Sequence, residues 1–159
     1  AGAGPVTVIG AGGGSRAVCY ALQHEGVTDI RLVNRTWERA ERLAADLGGP
    51  ITVHPWEDRH DLLDGVTMAV NVTSQGMEGE ASLDIRLDRL PEHALAADII
   101  YIPLETPFLG AARERGNPTL NGVGMLLHQG PPAWKRWFGI EPDVSADLRE
   151  KMEASIRGD

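Results

Sequence analysis

The sequence predicts a parallel, doubly wound α/β sheet with helices on both faces, and three observations carry that prediction. Short β-branched or apolar runs alternate with longer segments whose apolar residues recur at helical spacing, the pattern of βαβ units and not of a bundle or sandwich. At the amino end the run Val6-Thr7-Val8-Ile9 ends in Gly10-Ala11-Gly12-Gly13-Gly14-Ser15, and a stripe of Ala17, Val18, Ala21 and Leu22 follows at once. Finally, 159 residues, 42% hydrophobic and 24% charged, suit one domain with a real core, and 1–159 reads as a single unit.

Taken in order, the first strand and helix are followed by a second strand at Ile30-Arg31-Leu32-Val33. Thr36 is placed to cap a second helix, whose stripe of Trp37, Ala40, Leu43, Ala44 and Leu47 is stopped by Gly48, Gly49 and Pro50. Ile51-Thr52-Val53 and Thr67-Met68-Ala69-Val70 read as strands three and four. Residues 73–91, rich in glycine and acid, read as a long loop, and loops of that length in compact domains are commonly functional. Strand five is expected at Asp98-Ile99-Ile100-Tyr101, a helix at 109–115, and a short sixth strand at Pro118-Thr119-Leu120. A helix over 125–129 must kink or restart at Gly130-Pro131-Pro132. The segment 143–159 repeats Val144, Leu148, Met152 and Ile156 at four-residue spacing, a helix that needs a partner surface.

Composition excludes several functions. A net charge of -8 gives no general attraction for nucleic acid. No apolar run approaches the roughly 20 residues of a membrane span, and the first strand starts by about residue 5, so no targeting segment is expected and the address is cytoplasmic. Cys19 is the single cysteine, which rules out an internal disulfide and a cysteine metal site and leaves a buried thiol. His24, His54, His60, His93 and His128 lack metal-ligand spacing, and Asp58-Arg59-His60-Asp61 reads as solvated charge.

A strand that feeds a glycine turn and then a helix is the dinucleotide fingerprint of Rossmann-type domains. The turn lets backbone approach a pyrophosphate, and the helix amino terminus offers it free N–H groups and partial positive charge. Gly10 and Gly12 fill the first two fingerprint positions, and Ser15 takes the third, where helix and strand pack closely. The end of strand two decides between the nicotinamide cofactors, since an acid there binds a free 2′-hydroxyl and arginine accepts a 2′-phosphate. It reads Asn34-Arg35-Thr36, with Arg39 one helical turn on, which favours NADP over NAD; the competing reading is two solvated surface charges. Polar residues from Asn71 to Gln75 end strand four, where open α/β sheets bind ligands, unless they form a plain turn. Tyr101 and Gln129 either face the same crevice or are a core tyrosine and a surface glutamine.

Five segments, GAGGGSRA, NRTWERA, NVTSQGM, DIIYIPLETPFL and NGVGMLLHQ, in this order and spacing, resemble the cofactor-binding half of the shikimate dehydrogenase family over about Val6 to Gly139. The resemblance implies that Gly10, Ala11, Gly12, Gly13 and Gly14 form the pyrophosphate turn and that Asn34, Arg35, Thr36 and Arg39 form the adenosine-phosphate pocket. It places Thr73 and Ser74 near the nicotinamide ribose, Ile99 and Gly122 at the nicotinamide, and Tyr101 and Gln129 against a shikimate-type substrate. It also implies that the acid/base lysine and its aspartate partner lie in an amino-terminal substrate domain that this chain lacks. Neither Lys135 nor Lys151 matches that motif, so no catalytic residue is assigned here and the chain alone is expected to be inactive. The 143–159 helix is expected to pack on that domain, and Pro131-Pro132 departs from the family just after Gln129. Two alternatives stay open: a free-standing, non-catalytic NADPH-binding module, and a dehydrogenase for quinate or an amino analogue.

Overall fold

The computed structural model describes residues 4–159, and its core is a six-stranded parallel sheet. The strands are β1 (Val6–Ile9), β2 (Ile30–Val33), β3 (Ile51–His54), β4 (Met68–Asn71), β5 (Leu95–Asp98) and β6 (Thr119–Leu120), in the spatial order β3-β2-β1-β4-β5-β6. The order reverses between β1 and β4, so a crevice opens there at the carboxyl ends of the strands. The helices are α1 (Gly13–His24), α2 (Trp37–Leu47), α3 (Pro107–Glu114), α4 (Val123–His128), α5 (Gly130–Phe138) and α6 (Ala146–Arg157). No helix among the described residues is long and apolar enough to cross a membrane.

Alternation along the central strands builds one core on each face. Val6, Val8, Ile30 and Leu32 pack under α1 and α2 with Cys19, Leu22, Ala40 and Leu43. Their neighbours Ile9 and Val33 point the other way, into a cluster with Leu63, Leu90, Phe108 and Leu109. Each of these fully buried aliphatic side chains contributes about 1.5–3 kcal/mol by leaving water. Burial pushes the Cys19 thiol up to about 11, so it is an inert core group.

The structure corrects several expectations. Strand five is Leu95–Asp98 and not Asp98–Tyr101: Ala96 and Ala97 pair with Ala69 and Val70 of β4, while Ile99 and Ile100 lie beyond the ladder. The Asp98 carboxylate accepts the Ile100 N–H at 3.0 Å and so turns the chain out of the sheet, a tertiary effect that the apolar run conceals. Trp56–Leu63, which includes the stretch read as solvated charge, is a 3-10 helix. It is tied to the sheet by the Thr7 hydroxyl and the Arg31 guanidinium, which both donate to the Leu62 carbonyl. The 73–91 loop forms no strand or helix, yet it delivers Leu83, Leu87 and Leu90 to the core. At Gly130-Pro131-Pro132 the chain restarts as α5 with proline in the first turn, where a missing N–H is tolerated. α6 lies against α4, and neither α5 nor α6 contains a fully buried residue.

Candidate functional site

Beyond β1 the chain must turn within reach of β4. Gly10 has φ +113°, and a Cβ there would stand 3.1 Å from the Val72 carbonyl, so both conformation and space demand glycine. At Gly12 and Gly13 nothing lies within 4 Å of where a Cβ would stand, so the turn is open at the start of α1, whose first N–H groups have no partner within the helix. The close helix–strand approach falls at Gly14, where a Cβ would press on Ile99 Cδ1 and Val72 Cγ1 at 3.1 Å each, and not at Ser15. Ser15 is buried for a different purpose, because its hydroxyl accepts the Gly12 N–H at 3.2 Å and holds the turn.

The β2 corner is locked to this turn. Asn34 accepts the Ala11 N–H through Oδ1 at 3.1 Å and donates through Nδ2 to the Thr36 carbonyl at 2.7 Å. Thr36 stands at the N-cap of α2 as expected, but its side chain makes no capping bond. Arg35 and Arg39 are exposed and form no ion pair with any described residue. A groove of about 270 Å³ runs over the corner, bounded by Gly10, Asn34, Arg35, Arg39, Trp56 and Thr73 among others. Arg39 also borders a neighbouring hollow of about 480 Å³, in which Arg16 is paired with Asp46 at 2.6 Å.

At the carboxyl ends of β4 and β5 a buried polar network sets the crevice wall. Asn71 Oδ1 accepts both the N–H and the hydroxyl of Thr73, at 3.0 and 2.7 Å, and the Thr73 hydroxyl oxygen accepts the Gln75 N–H at 3.0 Å. Asn71 Nδ2 donates to the Asp98 carboxylate, which also accepts from Ile100 N–H and from the Thr106 hydroxyl at 2.8 Å. Burial lifts Asp98 above the ordinary carboxylate range, while bonds from Ile100, Asn71 and Thr106 pull it down. One carboxylate thus fastens the 73–77 turn to the 99–107 segment. Sequence reasoning assigns Asp98 no role; its only signal there is a lone acid in an apolar run.

The remaining candidates are brought together only in part. Gly122 presses its backbone on Ile99, since a Cβ would fall well inside contact distance of the Ile99 carbonyl, and its N–H bonds the Ile100 carbonyl at 2.9 Å. Tyr101 is half-buried in the loop past β5, against a small apolar hollow of about 240 Å³ shared with Thr73, Ile99 and Met125. Ser74 is exposed at the groove. Gln129 is exposed at the carboxyl end of α4 and borders neither the groove nor that hollow.

Comparison with known proteins agrees with this geometry. A family model described as shikimate / quinate 5-dehydrogenase matches residues 3–79. A shikimate dehydrogenase (NADP(+)) of Paramagnetospirillum magneticum is 53% identical over 92% of this chain and 53% of its own length. Among solved structures, quinate dehydrogenase from Corynebacterium glutamicum in complex with NAD is 30% identical with a TM-score of 0.88, covering 96% of this chain and 55% of that one. Shikimate 5-dehydrogenase from Thermus thermophilus in complex with NADP(H) and shikimate is 34% identical with a TM-score of 0.77, covering 98% and 55%. The chain spans about half the length of the curated relatives it matches. With a Rossmann-type sheet, an open glycine turn and these relatives, the chain belongs to the shikimate dehydrogenase family.

Proposed function

We propose that this chain is the NADP(H)-binding part of an oxidoreductase in which 3-dehydroshikimate is reduced to shikimate, a step towards aromatic amino acids. The observation that carries the reading is the groove over the glycine turn, bounded by Gly10, Ala11 and Gly12 just before α1 and by Arg35 and Arg39, two guanidinium groups that no carboxylate among the described residues neutralises. In it the backbone of Gly10, Ala11, Gly12, Gly13 and Gly14 holds the pyrophosphate. Asn34, Arg35, Thr36 and Arg39 hold the adenosine 2′-phosphate, for which a planar guanidinium offers paired donors. Thr73 and Ser74 line the nicotinamide ribose, and Ile99 and Gly122 the nicotinamide. Bound NADPH supplies the hydride for the substrate carbonyl carbon. Tyr101 and Gln129 meet the substrate from the cofactor side. The lysine and aspartate that move the proton belong to the substrate domain of the longer protein, on which the 143–159 helix packs. The chain alone therefore binds cofactor without turning over substrate. A buried, unpaired Cys19 fits a reducing, cytoplasmic setting.

A free-standing NADPH module predicts a last helix that is closed internally. α6 lies against α4, yet Leu148 stays 41% exposed, which favours a further partner surface. A quinate and a shikimate enzyme both resemble this half, which supports a substrate choice made mostly by residues outside it. Titration calorimetry with both cofactors tests the proposal. Arg35→Ala is expected to weaken NADP⁺ binding by about 1.5–3 kcal/mol, the range for hydrogen bonds to charged groups, and to leave NAD⁺ binding nearly unchanged. Equal losses would remove Arg35 from the 2′-phosphate, and a wild-type chain that binds neither cofactor would overturn the cofactor reading itself.

A further inference from the structure

The groove at the β2 corner contains one aromatic side chain, Trp56, which the family resemblance does not assign. Its placement follows from the sheet: β3 lies beside β2 with His54 opposite Val33, so Trp56 leaves the end of β3 two residues on, next to the segment in which Asn34 and Arg35 leave β2. The indole is half-buried against the core cluster below the sheet. Arg59 packs on it, with its guanidinium carbon 4.8 Å from the ring centroid and Nη1 donating to the Trp56 carbonyl at 3.0 Å. Arg59 is itself anchored, donating through Nε to the Asp84 carbonyl at 2.7 Å and paired with the Asp84 carboxylate, so its side chain is only 12% exposed. The stretch that the sequence presents as solvated charge is thus a brace for one aromatic ring at the edge of the groove.

Resting on the nucleotide reading above, we infer that Trp56 is the apolar wall that receives the adenine ring of the cofactor. Arg35 and Arg39 are committed to charge, and Asn34 is committed to the Ala11 and Thr36 backbone, so the corner has phosphate donors but little else that suits a flat, weakly hydrated base. An aromatic surface held in place before binding supplies that contact without ordering a loose side chain. Base–aromatic contact of this kind is tolerant of the ring's hydrogen-bonding edge, so it adds affinity to NADP⁺ and NAD⁺ alike, whereas Arg35 separates them.

The test uses the 159-residue chain labelled with ¹⁵N and titrated with adenosine 2′,5′-bisphosphate, a probe with adenine and phosphates but no nicotinamide. The four tryptophans give four indole N–H resonances, and that of Trp56 is identified by its loss in Trp56→Phe. The expected result is a saturable shift of the Trp56 resonance. Trp56→Ala should weaken the bisphosphate and both cofactors by about tenfold, with Trp56→Phe recovering most of that loss. If Trp56→Ala does not fold, the resonance in the wild-type chain decides. Binding of the bisphosphate with the Trp56 resonance unmoved overturns the inference and leaves the phosphate assignment standing. Absence of any binding by the wild-type chain removes both.

Discussion

From β1 to α2 the structure closes over the aliphatic side chains of its strands and inner helix faces, with Tyr20 and Trp37 left on the outside, whereas α5 buries none of its apolar side chains fully. Val8, Ile9, Ile30 and Leu32 have no exposure, and the turn beyond them is held by bonds from Asn34 and Ser15. On α5, Trp137 is 71% and Phe138 62% exposed, and their aromatic partners among the described residues are each other and Trp134. The difference follows from what each region has to do. A phosphate-binding turn works through backbone N–H groups, which are aimed only as well as the packing beneath them is fixed. The later helices form a surface, and a surface rich in aromatic groups suits contact with another body.

The contrast breaks most sharply at Gly122, where α4 joins the sheet. Its φ of -75° is ordinary, so any residue fits the conformation, but a Cβ would collide with the Ile99 and Ile100 backbone, which has no soft side chain to yield. Gly122→Ala is expected to cost about 3 kcal/mol in urea unfolding and to spoil the approach of α4 to Ile99. Gly130→Ala, at the start of α5, meets nothing beyond its chain neighbours, and only the preference of a residue before Pro131 for extended backbone opposes it, so it should cost less than ~1 kcal/mol. Equal tolerance of the two changes would mean that α4 is as loosely attached as α5, and the boundary between the regions would have to move towards β5.

Asp98 sharpens the comparison from the closed side. Asp98→Ala leaves the Ile100 N–H and the Thr106 hydroxyl without their acceptor and Asn71 Nδ2 with the Gln75 carbonyl alone, and is expected to cost about 2 kcal/mol. Asp98→Asn keeps the shape and removes the charge, and the cost of setting an amide NH2 where one oxygen accepts does not vary with pH. Because burial raises the native pKa, folded Asp98 holds its proton at pH values where the unfolded chain has released it. That contribution to stability is full in acid, below the ordinary carboxylate value, and is lost as pH rises through the raised one. The stability margin of the wild type over Asp98→Asn should therefore shrink from about pH 3 upward. A margin that grows with pH would show that the three donors, and not burial, set the charge of the group.

What is legible in the sequence follows the range over which each feature is determined. The glycine turn, β2 with its arginine corner and the stripe of α2 are written in neighbouring residues, and the structure has them where periodicity puts them. Strand five is displaced because Ala96 and Ala97, weak strand formers, are held by β4 and the helices, while the stronger run Ile99-Ile100 is turned out by a carboxylate. Arg59 is hidden for the same reason. Its partners Trp56 and Asp84 stand 3 and 25 residues away, and only the fold makes a charged tetrapeptide into a brace. The family resemblance implies that Gln129 meets the substrate, whereas its residues alone leave a surface glutamine open; in this chain it stands exposed where the helix restarts at Gly130, a junction whose direction spacing does not encode.

The smallest expected effect lies on the open side. Trp137 is the most exposed large apolar residue described, and its ring stands edge-on to Phe138 at 6.3 Å between centroids. Truncating a side chain that already stands in water removes little burial, so Trp137→Ser should shift unfolding of this chain by less than ~0.5 kcal/mol. The nearby Lys135–Glu141 pair, with both side chains more than half exposed, should matter as little when Lys135 is replaced by Met. Chemical denaturation of both variants beside the wild type reads this directly. A loss above ~1.5 kcal/mol for Trp137→Ser would mean that α5 is anchored by its aromatic cluster and belongs to the closed region. With no such loss, the aromatic face of α5 contributes nothing to folding of the 159 residues, and any constraint on those side chains arises from what they touch outside them.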